Sequence, residues 1–275
     1  MALILLYTSL LGYGFLFINI FNVTLDFANP LNYLFIVLTI LISIVLSSLH
    51  IVLATTLVVV FRKNKGYEDV FNQHFAKSLL RMVNHIFRVK VKVTGYENVP
   101  DNNNFVLISN HQDNFDIMVY LPVFRDLPVC FIAKEALFKL PVLGKYIEML
   151  GNVPIGKFAD RAAAEAIVNG IKRVKAGYPM AIFPEGKRSF GNELIDFKPG
   201  AFKLAIKPKA DILVGVLYNT HIVPKTPLWK RKKIYVHFLP LIKYEDYQHM
   251  KSQELSENVK GLIQTQLNEF KKALN

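Results

Sequence analysis

A histidine and an aspartate lie five positions apart, directly after a short apolar run at residues 105–108. His111 can act as a general base near neutral pH, because the unperturbed pKa of a histidine side chain is about 6.5. Asp116 carries a carboxylate that can accept the other ring N–H, which fixes the tautomer and stabilises the imidazolium. If a helix begins soon after His111, Asp116 lies a little over one turn away and faces back. We therefore predict that His111 and Asp116 form a catalytic pair.

Other residues of this segment allow a second interpretation. Asp113 and Asn114 lie closer to His111 in sequence, and either could be its partner or the N-cap of the next helix. A histidine at the end of a strand can also cap a helix without any chemical role. Spacing alone fits both interpretations, so the prediction depends on a second motif further along the chain.

The second motif is Phe-Pro-Glu-Gly-Lys-Arg-Ser at residues 183–189, again at the end of an apolar run. Its proline and glycine predict a turn that holds Glu185 near the end of a strand. Arg188 has planar donors that suit phosphate oxygens, and Lys187 adds a point charge. The motif therefore predicts a phosphate site, whereas in a plain surface turn Glu185 would pair with Arg188 or Lys198. The sequence contains neither a P-loop nor a G-x-G-x-x-G motif.

Two long apolar stretches precede these motifs. Residues 2–21 and 31–61 contain no Asp, Glu, Lys or Arg. A membrane-spanning helix needs about 20 apolar residues, so each stretch is long enough to cross a bilayer. The second stretch exceeds that length and must tilt, kink or run along the membrane surface. A cleaved signal peptide is the alternative for the first stretch, but a basic start and a small-residue cleavage site are missing.

The basic residues that flank these stretches predict their orientation. The second stretch ends in Arg62-Lys63-Asn64-Lys65, whereas the connection at residues 22–30 has no Lys or Arg. Basic flanks stay in the cytoplasm, so we predict a transmembrane hairpin with both ends inside. Residues 1–65 would then form a membrane anchor, and residues 66–275 a domain on the cytoplasmic face of the cell membrane.

The chain is basic and strongly apolar. Its 275 residues include 33 Lys and Arg against 21 Asp and Glu, a formal net charge of +12, and 52% of them are hydrophobic. A basic surface suits an anionic bilayer, phosphorylated substrates or nucleic acid. The two apolar stretches favour an anionic phospholipid membrane as the partner, and we predict no nucleic-acid partner. The only cysteine, Cys130, excludes an internal disulfide and a cysteine-built metal site.

Segments with strand-like and helix-like spacing alternate through the rest of the chain. Alternation at this spacing predicts an α/β domain in which helices flank a sheet. The predicted strands cover residues 89–94, 105–108, 129–132, 179–183, 212–217 and 234–238, and the predicted helices cover residues 161–175, 200–206 and 255–274.

A further helix is predicted over residues 67–87, where apolar residues recur at helical spacing. Its apolar face is expected to pack on the domain, with the membrane surface as the alternative. That face contains Val70, Phe71, Phe75, Leu79, Met82, Val83 and Ile86, and the opposite face contains Asn72, Lys77, Arg81 and Asn84.

A basic loop at residues 225–233 contains Trp229, the only tryptophan of the chain. Tryptophan prefers the bilayer interface, and clustered Lys and Arg side chains are attracted to an anionic membrane. We hypothesise that this loop touches the membrane, and an ordinary solvated turn is the alternative.

Together, the two motifs resemble those of the glycerolipid acyltransferase family, and most closely those of the bacterial 1-acyl-sn-glycerol-3-phosphate acyltransferases. The family's N-H-x-x-x-x-D motif corresponds to residues 110–116, and its F-P-E-G-x-R-S motif corresponds to residues 183–189, in the same order. The resemblance extends over about residues 91–240 and includes three further family segments, at residues 131–138, 151–155 and 197–202.

The resemblance implies a fold and a reaction. The implied fold is a mixed sheet flanked by helices and preceded by a membrane-anchoring segment. His111 is implied to deprotonate an acceptor hydroxyl that attacks an acyl thioester directly, while Asp116 orients His111. The implied reaction moves a fatty acyl group to the sn-2 hydroxyl of 1-acyl-sn-glycerol 3-phosphate, or lysophosphatidic acid, and makes phosphatidic acid.

The resemblance also implies the binding residues and the co-substrate. Four residues of the second motif are implied to bind the glycerol phosphate: Glu185, Gly186, Lys187 and Arg188. A basic residue after the 151–155 segment assists them, and it is Lys157, or Arg161 if the loop is longer. The acyl donor is a thioester of acyl carrier protein or of coenzyme A, and no metal or organic cofactor is implied.

Several other functions remain open at this point. The acceptor could be glycerol 3-phosphate or another lysophospholipid. A catalytically silent membrane scaffold is a different class, and the intact His111, Asp116, Glu185 and Arg188 argue against it. A membrane-bound hydrolase in which His111 activates water would need a second carboxylate or a metal cluster, and the sequence shows neither.

Overall fold

The chain forms two compact units, Met1–Lys65 and Gly66–Asn275. The computed structural model describes residues 1–21, 29–156 and 159–274 of the chain. Most of the predicted connection at residues 22–30 lies outside the described residues. Lys157, one of the two alternatives for the assisting basic ligand, also lies outside them.

The first unit consists of two long helices, α1 (Ala2–Ile20) and α2 (Pro30–Arg62), which pack against each other. Both are long and apolar enough to cross a membrane. The side chain of Asn29 accepts a hydrogen bond from the backbone N–H of Leu31, and Pro30 is the first residue of α2. Asn29 and Pro30, the last two residues of the predicted connection, therefore begin a helix.

The second unit is built on a seven-stranded sheet. Its strands are β1 (Val89–Thr94), β2 (Phe105–Ser109), β3 (Cys130–Lys134), β4 (Val153–Ile155), β5 (Met180–Ile182), β6 (Asp211–Tyr218) and β7 (Lys232–Phe238). The strand order is β1-β7-β6-β2-β5-β3-β4, and every neighbouring pair is parallel except β6 and β7. The expected α/β class with a mixed sheet is confirmed.

Helices cover both faces of this sheet. They are α3 (Val70–Ile86), α4 (Phe115–Val123), α5 (Glu135–Phe138), α6 (Leu143–Met149), α7 (Ala159–Lys175), α8 (Lys203–Ile206), α9 (Tyr244–Tyr247) and α10 (Ser252–Leu274). Val106 and Ile108 of β2 pack in a core with α7, α8 and α10, whereas Phe105 and Leu107 pack in a second core with α3 and α4. Successive strand residues point to opposite faces, so β2 is buried from both sides.

The centre of the sheet determines where the two sequence motifs meet. Strand β2 lies between β5 and β6 and runs parallel to both, with Ile108 opposite Ile182 and Ser109 opposite Gly215. The first motif follows β2 and the second motif follows β5. Both motifs therefore leave the same carboxyl edge of the sheet from adjacent strands, which is where open α/β sheets bind ligands.

The helix predicted over residues 67–87 is present as α3, but its buried face is not the predicted one. Lys77 has no exposed surface and donates hydrogen bonds to the carbonyl oxygens of Arg125 and Leu127. Burial lowers the pKa of Lys77 to about 8. Val70, expected on the packed face, is 68% exposed. The predicted faces are wrong in part because carbonyl groups after α4 need donors, which an apolar side chain could not supply.

The remaining elements agree with the predictions at the level that periodicity allows. All predicted strand ends lie within two residues of the observed ends, and the helix predicted at 200–206 is a 3-10 turn followed by α8. Strand β4 and helices α5, α6 and α9 were not predicted. They contain three to seven residues each, which is too short for a helical or strand period to stand out.

Candidate active site

The carboxyl edge of the sheet brings His111 and Asp116 into direct contact. Nδ1 of His111 lies 2.6 Å from Oδ2 of Asp116. Asp116 has no exposed surface, whereas the His111 side chain is 15% exposed. The contact occupies Nδ1, so Nε2 is the ring nitrogen left to exchange a proton with a substrate. This is the geometry that a histidine base with an orienting carboxylate requires.

Three further donors hold the carboxylate of Asp116. Oδ2 also accepts hydrogen bonds from the backbone N–H of Gln112 at 2.6 Å and of Asp113 at 3.1 Å. Oδ1 accepts a hydrogen bond from the hydroxyl of Thr220. Asp116 also lies in the first turn of α4, where the helix dipole favours a negative charge. These contacts fix both carboxylate oxygens in the orientation that receives His111.

The two alternative partners predicted for His111, Asp113 and Asn114, lie at the start of α4. Oδ1 of Asp113 accepts a hydrogen bond from the backbone N–H of Phe115 at 3.2 Å, at the start of α4. Asn114 is the N-cap residue of α4 and makes no side-chain capping bond. Asp113 therefore supports the start of the helix, and Asp116 is the carboxylate beside His111.

The second motif and Phe190, the residue after it, contact the first motif through a stacked ring and two backbone hydrogen bonds. The Phe183 ring stacks on the His111 imidazole, with centroids 4.3 Å apart and planes 11° apart. The N–H of Ser189 donates to the carbonyl oxygen of His111 at 2.8 Å, and the N–H of Phe190 donates to that of Gln112 at 3.2 Å. The structure thus joins both motifs in one site, and the stacked phenyl ring restricts the orientation of the imidazole.

Glu185 lies directly behind the histidine. Its Oε1 accepts a hydrogen bond from the backbone N–H of His111 at 2.8 Å, and the residue is only 2% exposed. Burial raises the pKa of Glu185 to about 7, against the opposing effect of the His111 N–H. In the described chain, no ion pair joins Glu185 to Arg188 or Lys198, so the surface-turn alternative is wrong.

A cavity of about 610 Å³ opens beside this motif. Its lining residues are Glu185, Gly186, Lys187, Leu194, Ile195, Asp196, Phe197 and Lys198. Oε2 of Glu185 is buried and has no hydrogen-bond partner in the described part of the chain, so a ligand in the cavity could bond to it. Gly186 has a φ of +68°, and a Cβ added there would lie 3.1 Å from Cε of Lys198. The turn therefore needs glycine. Two lysines, Lys187 and Lys198, are among the residues that line the cavity.

The remaining predicted phosphate ligands are not all gathered at this cavity. Arg188 lies in the same turn, with its guanidinium carbon 4.6 Å from the centre of the Phe190 ring. Arg161 is exposed near the start of α7 and does not line the cavity. Lys157 lies outside the described residues. The structure thus brings Glu185, Gly186 and Lys187 together at the cavity, and Arg161 is not among its lining residues.

Sequence analysis missed the polar side chains that fasten the histidine segment to β6. The amide of Gln112 donates to the carbonyl oxygen of Leu217 at 2.9 Å and accepts from the Thr220 N–H at 2.9 Å. Asn110 exchanges two further hydrogen bonds with the backbone of Leu217. One signal was available: Thr220 closely follows the strand predicted at residues 212–217, and parallel strands of an α/β sheet place such residues at one edge.

Removal of the Thr220 hydroxyl is expected to destabilise the folded chain. Thr220→Val preserves shape but leaves a buried oxygen of Asp116 without its donor, which costs about 1–3 kcal/mol. The free energy of unfolding, measured in detergent by thermal denaturation, should fall by that amount. Thr220→Ser retains the hydroxyl and serves as the matched control. If the valine and serine variants are equally stable, the hydrogen bond to Asp116 contributes nothing.

Glu185→Gln tests the raised pKa of the buried Glu185 carboxyl by its effect on the free energy of unfolding. The pKa of Glu185 rises from 4.5 to about 7 on folding, so its ionisation removes stability as the pH increases between those values. Between roughly pH 5 and pH 8 the parent should lose about 1–3 kcal/mol that the variant keeps. Thermal unfolding of both full-length proteins at both pH values measures this difference. Equal losses in the two proteins would contradict the assignment.

The fold has a counterpart among solved structures. The 1-acyl-sn-glycerophosphate (LPA) acyltransferase PlsC from Thermotoga maritima matches with a TM-score of 0.63, over 81% of this chain and 95% of that chain. The sequence identity is 24%, so this match establishes a shared fold.

Sequence comparisons identify relatives of the chain. The acyltransferase family model matches residues 90–226. The chain is 30% identical over 184 residues to the 1-acyl-sn-glycerol-3-phosphate acyltransferase of Borreliella burgdorferi, covering 65% of this chain and 70% of the relative. It is 31% identical over 209 residues to the Saccharomyces cerevisiae protein of the same name, covering 72% and 68%. As its two motifs predict, the chain belongs to the glycerolipid acyltransferase family and is an acyltransferase.

Proposed function

We propose that the protein transfers a fatty acyl group from a thioester to the sn-2 hydroxyl of 1-acyl-sn-glycerol 3-phosphate, with His111 as the base. The observation that carries the proposal is the 2.6 Å contact between Nδ1 of His111 and the fully buried Asp116. The names of the Borreliella burgdorferi and Saccharomyces cerevisiae relatives support the choice of acceptor. The product would be phosphatidic acid.

The first step is proton transfer from the acceptor hydroxyl to Nε2 of His111. Asp116 accepts the hydrogen bond from Nδ1, so the ring presents its unprotonated nitrogen to the substrate. The same carboxylate stabilises the imidazolium that forms. The stacked Phe183 ring limits rotation of the imidazole and keeps Nε2 in the direction of the substrate.

The second step is attack of the acceptor oxygen on the thioester carbonyl carbon. A new C–O bond forms while the carbonyl π electrons move to oxygen, which gives a tetrahedral intermediate. The intermediate collapses with cleavage of the C–S bond, and the imidazolium returns its proton to the departing thiolate. The products are an ester and a free thiol, His111 is regenerated, and no acyl group is attached to the protein.

The cavity beside the second motif is the proposed site for the acceptor's phosphate. Lys187 and Lys198 line it, and both carry ammonium groups that attract phosphate oxygens. The pKa of Glu185 near 7 leaves this carboxyl partly protonated at neutral pH, so Oε2 can donate to a phosphate or hydroxyl oxygen. Arg188 and either Lys157 or Arg161 are the further ligands that we propose.

The membrane would supply the acceptor. Helices α1 and α2 are each long enough to cross a bilayer, and we propose that they anchor the chain with both ends in the cytoplasm. The acyl donor, a coenzyme A or acyl carrier protein thioester, would then come from the cytoplasm. No metal or organic cofactor takes part in the proposed steps.

Acyl transfer by the full-length protein in liposomes tests this function. A labelled acyl thioester of either kind is supplied with lysophosphatidic acid, glycerol 3-phosphate or lysophosphatidylcholine. The parent should make phosphatidic acid, and His111→Ala should lower the rate by about 100- to 10,000-fold, the range of general base catalysis. His249→Ala, which removes an exposed histidine after α9, is the matched control and should retain the parent rate.

Each other outcome changes a particular part of the proposal. Product from a different acceptor would keep the chemistry and correct the substrate. Release of free fatty acid without ester formation would favour the hydrolase. If neither thioester gives product with any acceptor, the enzymatic proposal is wrong and the scaffold is favoured.

A further inference from the structure

The turn at Pro227–Lys230 is stabilised by a backbone hydrogen bond and by the ammonium group of a buried lysine. The N–H of Lys230 donates to the carbonyl oxygen of Pro227 at 3.1 Å. Lys232 has no exposed surface, and its ammonium group donates to the carbonyl oxygens of Pro227 and Phe87, each at 2.8 Å. The buried ammonium thus ties the turn to the end of α3 through backbone carbonyl groups.

This turn presents large apolar side chains to solvent. Leu228 is 50% exposed and Trp229 is 72% exposed, the highest value for a large hydrophobic side chain in the described part of the second unit. Four exposed cations surround them: Lys225, Lys230, Arg231 and Lys233. The sequence contains no acidic residue between Asp211 and Glu245. Exposed apolar groups next to cations of one sign indicate a surface that meets a partner.

The turn is continuous with the candidate active site. The ammonium group of Lys225 donates to the carbonyl oxygen of Phe190 at 3.3 Å, and the Phe190 N–H donates to Gln112, the residue after His111. Phe190 is 51% exposed, although its φ of +58° is unfavourable for a bulky side chain. The fold therefore exposes a third large apolar side chain, on a residue whose backbone is bonded to the neighbour of His111.

We propose that Phe190 and the exposed side chains of residues 225–233, together called the docking rim, bind the surface of an anionic lipid bilayer. A bilayer has an apolar layer beneath an anionic surface, which matches Leu228 and Trp229 beside four cations. Nucleic acid or an acidic protein would satisfy the cations, but neither provides an apolar layer of that depth. The rim would hold the opening of the active site against the lipid.

The catalytic consequence rests on the proposed function. Lysophosphatidic acid is held in the bilayer by its acyl chain, so an active site that opens towards the lipid takes it up without extracting it into water first. The rim therefore matters for an acceptor presented by vesicles and has no part in the reaction of a dispersed short-chain acceptor.

Fluorescence of Trp229 tests the contact directly, because it is the only tryptophan in the chain. The full-length protein is reconstituted in vesicles of equal parts phosphatidylglycerol and phosphatidylcholine, with or without bromine on the acyl chains. Brominated lipid should quench Trp229, and the bilayer should shield it from aqueous acrylamide. A Trp229 that acrylamide quenches freely and brominated lipid does not quench would overturn the proposal.

A relocated tryptophan provides the matched control. Trp229→Phe combined with Leu262→Trp places the reporter at a position on α10 that is 44% exposed in the parent. Helix α10 packs on the sheet face opposite to α3 and α4, whereas the turn is tied to the end of α3. Brominated lipid should leave this reporter unquenched. Equal quenching at both positions would show that the signal is not specific to the rim.

Acyl-transfer activity provides a second test, and its outcome is independent of the fluorescence result. Leu228→Ala combined with Trp229→Ala should lower acyl transfer to long-chain lysophosphatidic acid in vesicles by about tenfold, as the loss of one buried large side chain would. Transfer to a dispersed short-chain acceptor should be unchanged, which also shows that the variant folds. Equal losses with both acceptors, or no loss with either, would overturn the catalytic consequence. Quenching needs no turnover, so quenching by an inactive parent would contradict the proposed function and leave the docking rim supported.

Discussion

Asp116 is a carboxylate with no exposed surface, and its burial places a requirement on separate parts of the chain. A buried carboxylate without donors is costly, so an imidazole, two backbone N–H groups and a hydroxyl must all reach its two oxygens. Three of these donors come from the turn after β2, and Thr220 comes from the loop after β6. Both loops arrive because β2 and β6 are parallel neighbours. The position of His111 therefore depends on the pairing of β2 with β6 in the sheet.

The part of the site that could be predicted from sequence is the part made by nearby residues. His111 and Asp116 are five positions apart, so the chemistry of their side chains and the onset of a helix were enough to expect their contact. That each motif lies at the end of a strand could also be predicted, because an apolar run precedes each of them. The partner of Glu185 could not be predicted, because Lys187 and Arg188 follow it closely in the sequence and suggest ion pairs. In the fold it accepts a backbone N–H from His111, a contact that depends on the adjacency of β2 and β5.

The errors in the fold have a similar origin. Hydrophobic periodicity assumes that polar side chains face water, and Lys77 and Asn84 of α3 instead donate to carbonyl groups on and after α4. The need for these hydrogen-bond donors comes from α4 and the residues after it. The hydrophobic pattern of α3 itself therefore does not indicate it. Strands β2, β5 and β6 were predicted well because the core buries them from both faces, which gives apolar runs with clear ends.

The contacts of Asp116 also imply an order of assembly. Its bonds to His111, Gln112 and Asp113 close loops of three to five residues, whereas the bond to Thr220 spans 104 residues. Closing a short loop costs far less chain entropy than closing a long one. During synthesis, His111 and Asp116 can therefore come into contact while β6 is still inside the ribosome. The carboxylate of Asp116 remains solvated until β6 pairs with β2. A nascent chain that stops before β6 would contain His111 and Asp116 as a solvated, mobile pair.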